Sequence, residues 1–155
     1  MAFFSQTLRP DHPYITAGKA RYAAFLAASA RYEEAQPLYE EVISNMESNA
    51  VGSNFFLALQ QFRFGEMVLQ MGENDEAATN LQAAVDAMEQ ALPAGHRHTA
   101  RGWVALGEAL IAQRKFVQAA HYLTLATAHL KDDAREATRY THARQLLACV
   151  EQYAG

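Results

Sequence analysis

Apolar and small residues recur along this chain in a fixed order that predicts pairs of packed helices. The order appears three times, in GKARYAAFLAASARYEEAQPLYEEVI, QFRFGEMVLQMGENDEAATNLQAAV and GWVALGEALIAQRKFVQAAHYLTLA. Each segment joins two apolar, helix-forming stretches through a short polar turn, which is typical of a helical hairpin. The pattern therefore predicts an all-α chain.

The three segments are repeats with a period of 42 residues and need no gap for their alignment. An alanine marks the same place in each repeat: Ala35, Ala77 and Ala119. A small residue stands twelve positions before each alanine: Ala23, Gly65 and Gly107. A large residue stands four positions after each alanine: Tyr39, Leu81 and Leu123.

This spacing predicts how the two helices of each repeat pack. A small residue on the first helix lets the second helix approach closely, and the large residue fills the space beside the contact. One hairpin cannot bury its apolar face alone, whereas stacked hairpins form a continuous core. We therefore predict a single domain over residues 1–155, an α-solenoid of three hairpins at approximately 12–49, 54–92 and 96–131.

The third repeat resembles the tetratricopeptide (TPR) signature W-x2-L-G-x2-Y…A-x3-F through Trp103, Leu106, Gly107 and Ala119. The period of 42 exceeds the usual TPR period of about 34, and it resembles the longer-unit branch typified by kinesin light chains. The stretches RYEEAQPLY, LRPDHP and ALPAGH carry that resemblance. The resemblance implies a right-handed superhelix that binds proteins on its concave wall.

The two ends of the chain are expected to differ. Residues 133–153 are predicted to form a capping helix that covers the third repeat, beginning at Asp132 or Asp133 as N-cap. Its face with Tyr140 and Val150 should pack inward, while Arg139 and its other charged residues should face water. Residues 1–8 align with residues 85–92, the end of a second helix, so we expect the chain to begin inside an earlier repeat.

Composition and charge remove several classes of function. The net charge of -4 does not suit a nucleic-acid surface. No apolar stretch approaches the roughly 20 residues that span a bilayer, and the N-terminus lacks the pattern of a secretory signal. The single cysteine, Cys149, favours a reducing compartment, and we expect a cytoplasmic protein. Because Cys149 aligns with Gly107, its thiol is predicted to be buried and inert.

The sequence gives no reason to predict an enzyme. Phosphate-binding glycine loops are absent, and no nucleophile and base stand at a recognisable spacing. His96 and His98 could contribute to a metal site, but no third ligand is identifiable. The alternative, which we prefer, is that His96 packs on or caps the next helix. We therefore predict no catalytic residue, no metal and no cofactor.

A candidate binding surface follows from the first helix of each repeat, which the TPR resemblance places on the concave wall. The predicted groove residues are Arg21, Leu59, Phe62, Arg63, Glu66, Arg101, Val104 and Glu108. Arginines suit a carboxylate, and Phe62 suits an apolar anchor, so the expected partner is a peptide or protein segment with acidic and apolar residues. The alternative is that Arg63 pairs with Glu66 on its own helix and that Phe62 packs internally.

The function predicted from the sequence is a non-catalytic protein-interaction module. Its rival is a structural role, in which the array self-associates as a homodimer or packs against another part of a larger protein. Four aromatic residues motivate this lateral interface: Phe3, Phe4, Phe55 and Phe56. A third hypothesis is a regulatory domain of a larger protein whose remainder carries the activity.

Overall fold

The computed structural model describes residues 9, 12–49 and 54–154 as an array of α-helices. Three hairpins follow one another: α1 (Pro13–Ala28) with α2 (Tyr32–Asn49), α3 (Asn54–Gln70) with α4 (Asn74–Ala91), and α5 (Arg97–Ala112) with α6 (Phe116–Leu130). A 3-10 helix, Ala134–Glu136, leads into α7 (Ala137–Ala154), which packs on α6. Helices adjacent in sequence pack on one another throughout. The predicted all-α solenoid with a capping helix is therefore confirmed.

The turn inside each hairpin has the same structure in all three repeats. The second residue after each first helix has a positive φ: Ala30 (57°), Gly72 (84°) and Arg114 (62°). The next amide then bonds back across the last helical turn, from Arg31 to the Leu26 carbonyl at 2.8 Å, and its counterparts close at 3.0 and 2.9 Å. This is the closure of a Schellman motif, which satisfies carbonyls at a helix end. The repeats therefore share their turn geometry as well as their spacing.

Two histidines start the first helices of the outer repeats. Nδ1 of His12 accepts a hydrogen bond from the Tyr14 amide at 3.2 Å, and Nδ1 of His96 accepts one from the His98 amide at 3.2 Å. Pro13 then occupies the first turn of α1, where a missing amide hydrogen costs little. The interpretation of His96 as a helix cap is confirmed.

The core is built from the small and large residues that define the repeat. A Cβ added to Gly65 would lie 2.6 Å from Cγ of Leu81, and one added to Gly107 would lie 2.8 Å from Cγ of Leu123. These distances are shorter than ordinary carbon contacts, so glycine is what allows the two helices to approach. The partner alanines Ala35, Ala77 and Ala119 are fully buried.

Pro37 lies deeper in its helix than the sequence suggested. The motif RYEEAQPLYEEV predicts a helix that begins near Glu33 or Glu34, with Pro37 within or just beyond its first turn. The helix begins at Tyr32, so Pro37 is its sixth residue. Because proline has no amide hydrogen, the intrahelical hydrogen bond to the Glu33 carbonyl is missing. Both residues are exposed, and water can reach that carbonyl.

Cys149 is exposed, so the prediction of a buried thiol is wrong. Its counterparts Gly65 and Gly107 are covered by the second helix of their own hairpin, through Leu81 and Leu123. α7 is the last helix of the described chain, and it packs mainly on the preceding α6. The face that carries Cys149 therefore points away from the core, while Ala143 and Val150 are buried.

Gln60 is an exception to the apolar core. Its side chain is fully buried, and neither amide atom finds a hydrogen-bond partner among the described residues. Gln60 stands at the repeat position held by Gly18 and Gly102. A buried amide without partners loses its hydration and gains nothing in return.

We expect Gln60→Leu to raise the free energy of unfolding by about 1–3 kcal/mol, because it removes two unsatisfied polar groups at nearly constant volume. Urea denaturation followed by circular dichroism measures this difference. Gln61→Leu is the matched control, since Gln61 does hydrogen-bond, to Glu47 at 3.5 Å, and should show no such gain. A loss of stability in Gln60→Leu would mean that the buried amide is satisfied.

Candidate functional site

A cavity of about 500 Å³ opens between the first helices of the three hairpins and α7. One end has mainly apolar and aromatic walls, formed by Ala24, Ala27, Tyr32, Tyr39, Met67 and Leu69. The other end is largely charged, formed by Arg101, Glu108, Arg139 and His142 beside Val104 and Ala105. Arg63, Glu66 and Gln70 complete the lining. The cavity thus combines an apolar end with a charged end.

The predicted groove residues divide into two sets. Five of them line the cavity: Arg63, Glu66, Arg101, Val104 and Glu108. Three lie outside its lining: Arg21, Leu59 and Phe62. Arg21 is exposed, and Leu59 packs partly against the core. Phe62 is only 6% exposed and belongs to the core, so the expectation that it stands free as an anchor is wrong.

The charged residues of the cavity include Arg63, which lies near enough to Glu66 to favour its charged form. Among the described residues Arg63 forms no ion pair or hydrogen bond, although it is exposed and lines the cavity. Glu66, one helical turn further on, pairs instead with Arg139 of α7 at 3.7 Å. Glu108 lies 3.2 Å from Nε2 of His142. The prediction that Arg139 faces water is therefore wrong, because its guanidinium points into the cavity.

Beneath the charged end lies Glu136, whose side chain is 1% exposed and surrounded by three arginines. Nε of Arg101 donates to Glu136 at 3.0 Å, and a second nitrogen of Arg101 also donates to it. Arg139 donates at 3.5 Å, and Nε of Arg97 lies 3.7 Å away. Because Arg97 and Arg101 belong to α5 and Arg139 to α7, this carboxylate joins the two helices and fixes the wall of the cavity.

Burial and neighbouring charges shift the pKa values of these groups in opposite directions. Hydrogen bonding from Arg101 lowers the pKa of Glu136, and this outweighs the opposing effect of burial. Burial raises the pKa of Glu66, although Arg139 favours its charged form. Burial also raises the pKa of Tyr39. At neutral pH Glu136 is therefore firmly ionised, whereas Glu66 takes up a proton more readily than an ordinary glutamate does.

Several cavity residues were missed by the sequence analysis. Tyr32 and Tyr39 come from α2, a second helix, and Arg139 and His142 come from the capping helix, whereas the predicted groove residues all come from first helices. The motif RYEEAQPLY contains the signal for both tyrosines, since Tyr32 is its second residue and Tyr39 its last. Glu136 gave a weaker signal, its spacing of three residues from Arg139, and its contacts with α5 are set by the packing of distant segments.

No metal site is formed by His96 and His98. Their rings stack at 5.5 Å, and Nδ1 of His96 is occupied as the helix cap. Throughout the residues that the structure describes, no three His, Cys, Asp or Glu side chains are grouped so that they could hold a metal ion.

Of the four aromatic residues of the predicted lateral interface, the two that the structure describes, Phe55 and Phe56, are half-buried. Phe3 and Phe4 lie outside the described residues. The whole segment 1–8, which aligns in sequence with 85–92, also lies outside them. Phe55 is half-buried and its ring lies 5.3 Å from that of His98. Phe56 is half-buried and packs against a small cluster of Ala20, Val42 and Met46. Within the described chain, these two aromatics serve contacts between repeats.

Comparison with solved structures identifies the architecture. Two crystal structures of nearly identical TPR-like repeats, described as a kinesin light chain of Podosopora anserina and one of them a point variant, align with a TM-score of 0.79. Each alignment covers 97% of this chain and 72% of the other, at 21% identity. The chain has a TPR-like helical-repeat fold. No protein-family model and no curated protein matches the sequence significantly.

The TPR-like fold explains where the cavity lies. Its walls come mainly from the first helices α1, α3 and α5, and α7 stands where the first helix of a fourth hairpin would follow. Trp103, from the TPR signature, is buried, and its Nε1 donates to Glu89 at 2.9 Å. None of the described helices is both long and apolar enough to cross a bilayer.

Proposed function

We propose that this chain is a non-catalytic protein-interaction module that binds a peptide or protein segment in the cavity between α1, α3, α5 and α7. The observation that carries the proposal is Arg63, an exposed guanidinium in the lining that pairs with no described residue. Arginine in this state can receive a carboxylate in a bidentate contact without first breaking an internal ion pair. In this proposal the protein is cytoplasmic and uses no cofactor. Its partner is neither a nucleic acid nor a membrane.

The two ends of the cavity support a partner with two kinds of residue. Tyr32, Leu69 and the alanines of α1 offer an apolar end in place of the Phe62 anchor, which is buried. A leucine or an aromatic side chain would be desolvated there, beside a carboxylate on Arg63. Glu66 and Glu108 are already paired with α7, so they compete less with an acidic ligand than their number suggests.

Arg63→Glu tests this site. We expect it to weaken binding of a short fluorescent peptide, one leucine flanked by glutamates, by roughly tenfold or more, because charge reversal replaces an attraction by a repulsion. Fluorescence anisotropy at moderate salt measures the dissociation constant. A peptide with lysines in place of the glutamates should show the opposite preference for the variant.

Lys131→Glu is the control variant, since it makes the same charge change in an exposed turn that does not line the cavity. It should bind the acidic peptide nearly as well as the parent chain does. Equal losses in both variants would indicate a long-range effect of net charge and would reject the cavity as the binding site.

The structural alternative has less support from its original residues, because Phe55 and Phe56 are half-buried within the chain. A role as a regulatory domain of a larger protein would use the same cavity, with the partner segment supplied by that protein.

A further inference from the structure

Tyr39 occupies a core position but carries a hydroxyl that the core does not use. Its side chain is only 1% exposed, and it lines the cavity. Among the described residues its hydroxyl has no hydrogen-bond partner, and the oxygen is not one of the fully enclosed polar atoms, so solvent reaches it. Buried polar groups in proteins are normally hydrogen-bonded. The hydroxyl of Tyr39 is therefore a donor that a ligand in the cavity can use.

The repeat pattern indicates that packing does not require this hydroxyl. The counterparts of Tyr39 in the other repeats are Leu81 and Leu123, which are fully buried. Each leucine packs against the glycine of its own hairpin, so the position requires a large apolar side chain. The first repeat is the only one of the three that adds a polar atom there.

The ring of Tyr39 is held in place by the core. It lies against the ring of Phe64 on α3, with the ring centroids 5.7 Å apart and the planes tilted by 32°. Both side chains are buried. A donor on a ring that is already fixed loses little conformational freedom when a ligand binds, and this favours affinity.

The hydroxyl also lies within electrostatic reach of Arg63. Burial raises the pKa of Tyr39, while Arg63 lowers it and Glu66 raises it further. Because burial has the largest effect, the hydroxyl keeps its proton at neutral pH and can donate a hydrogen bond. A neutral donor and an exposed guanidinium thus line the same cavity, and both types of group bind carboxylates.

We propose that the Tyr39 hydroxyl and the Arg63 guanidinium together bind one carboxylate of the partner, so that this part of the cavity selects an unmodified aspartate or glutamate over a phosphorylated residue. The inference rests on the function proposed for the cavity, to which it adds a second donor and a ligand class.

The charges around these two side chains suit a single negative charge. Three arginines and three carboxylates lie in the cavity wall or directly beneath it: Arg63, Arg101, Arg139, Glu66, Glu108 and Glu136. Ion pairs with glutamates occupy Arg101 and Arg139, which leaves Arg63 as the cation of this set without an ion pair. A carboxylate balances it. A phosphate ester carries about −1.5 to −2 charges, and its excess charge would face Glu66 and Glu108.

Tyr39→Phe tests the hydroxyl alone, because the substitution keeps the ring. We expect it to raise the dissociation constant of the fluorescent peptide with one leucine flanked by glutamates roughly tenfold or more, since a hydrogen bond to a charged group is lost. A peptide with glutamines in place of the glutamates should bind the parent chain more weakly, and Tyr39→Phe should change that binding by no more than about twofold. Urea denaturation should give the variant an unchanged free energy of unfolding, because the hydroxyl has no internal partner to lose.

Tyr122→Phe is the matched control, since it makes the same chemical change outside the cavity lining. The Tyr122 hydroxyl accepts a hydrogen bond from Gln82 at 3.2 Å. Its removal should leave the dissociation constants of both peptides unchanged.

The outcomes separate this inference from the function proposed for the cavity. If Arg63→Glu weakens binding of the glutamate peptide and Tyr39→Phe does not, the role of Tyr39 is rejected and the proposed function stands. Equal losses for the glutamate and glutamine peptides in Tyr39→Phe, or a marked loss of its stability, would also overturn the inference. Tighter binding of a peptide with phosphoserines in place of the glutamates would refute the selection of carboxylates. A parent chain that does not bind the glutamate peptide would reject the proposed function and this inference together.

Discussion

Leu123→Ala should lower the free energy of unfolding by about 3–5 kcal/mol, in the upper part of the range for buried leucines. Leu123 is fully buried and lies against Gly107, which has no side chain to move into the space. The two backbones are already close, so the helices can move little further into the space that the leucine side chain leaves. Urea denaturation of the parent and the variant measures the difference.

A second substitution should partly reverse this loss. Gly107→Ala alone should destabilise the parent chain, because its Cβ would lie 2.8 Å from Cγ of Leu123, and such overpacking costs about 1–3 kcal/mol. In the Leu123→Ala background the same methyl enters the vacated space, and alanine gains about 1 kcal/mol over glycine in helix propensity. The sign of the Gly107→Ala effect should therefore change between backgrounds.

The same single and double substitutions at Gly65 and Leu81 provide a second test. There a Cβ added to Gly65 would lie 2.6 Å from Cγ of Leu81. Because the second repeat has the same arrangement, it should show the same reversal. Additive effects at both pairs would mean that the glycines serve the helix backbone and not the contact with leucine.

The same pairs explain why the fold was predictable from the sequence. A period of 42 residues relates Gly65 to Gly107 and Leu81 to Leu123. In each repeat the glycine packs against the leucine of the same hairpin, so this contact is local in the sequence. The His12 and His96 caps, two periods apart, are local as well. Cys149 shows where this reasoning fails. It has the right register, but the partner helix that would bury it is not among the described elements.

The candidate site was less predictable, because the side on which a residue lies depends on tertiary packing. Arg63 and Phe62 are neighbours in the predicted groove, and the structure leaves Arg63 exposed and places Phe62 in the core. Successive residues of a helix point about 100° apart. An error of one residue in the assumed orientation therefore exchanges an exposed residue with its buried neighbour. The prediction that Arg139 faces water fails for a different reason, because its partners Glu66 and Glu136 lie on other elements.

Glu136→Gln should also destabilise the chain, by about 1.5–3 kcal/mol, because it removes a buried carboxylate that accepts charged hydrogen bonds from arginines that water reaches only in part. The loss should be concentrated in α7, which Glu136 joins to α5 through Arg101 and Arg139. Hydrogen exchange should therefore show faster exchange of the α7 amides than of those in α3 or α4.

The effect should depend on pH in a direction set by the lowered pKa of Glu136. A carboxyl whose pKa is lower in the folded chain than in the unfolded chain binds its proton more readily when unfolded. Its stabilisation is therefore full above the unfolded pKa, near 4.3, and is lost as the pH falls through the folded value. The difference between parent and Glu136→Gln should be largest near neutrality and should shrink on acidification below about pH 4.

Glu34→Gln is the control that separates the effect of burying an ion pair from the effect of its short hydrogen bonds. Glu34 accepts two hydrogen bonds of 2.7 Å from Arg31, a bidentate pair at short distances, yet both side chains are about half exposed. Water already solvates these charges, so breaking the pair leaves neither of them desolvated. Its effect on stability should be far smaller than that of Glu136→Gln. Equal effects would show that Glu136 acts as an ordinary surface charge, and the rigid wall that it gives to the cavity would then need another cause.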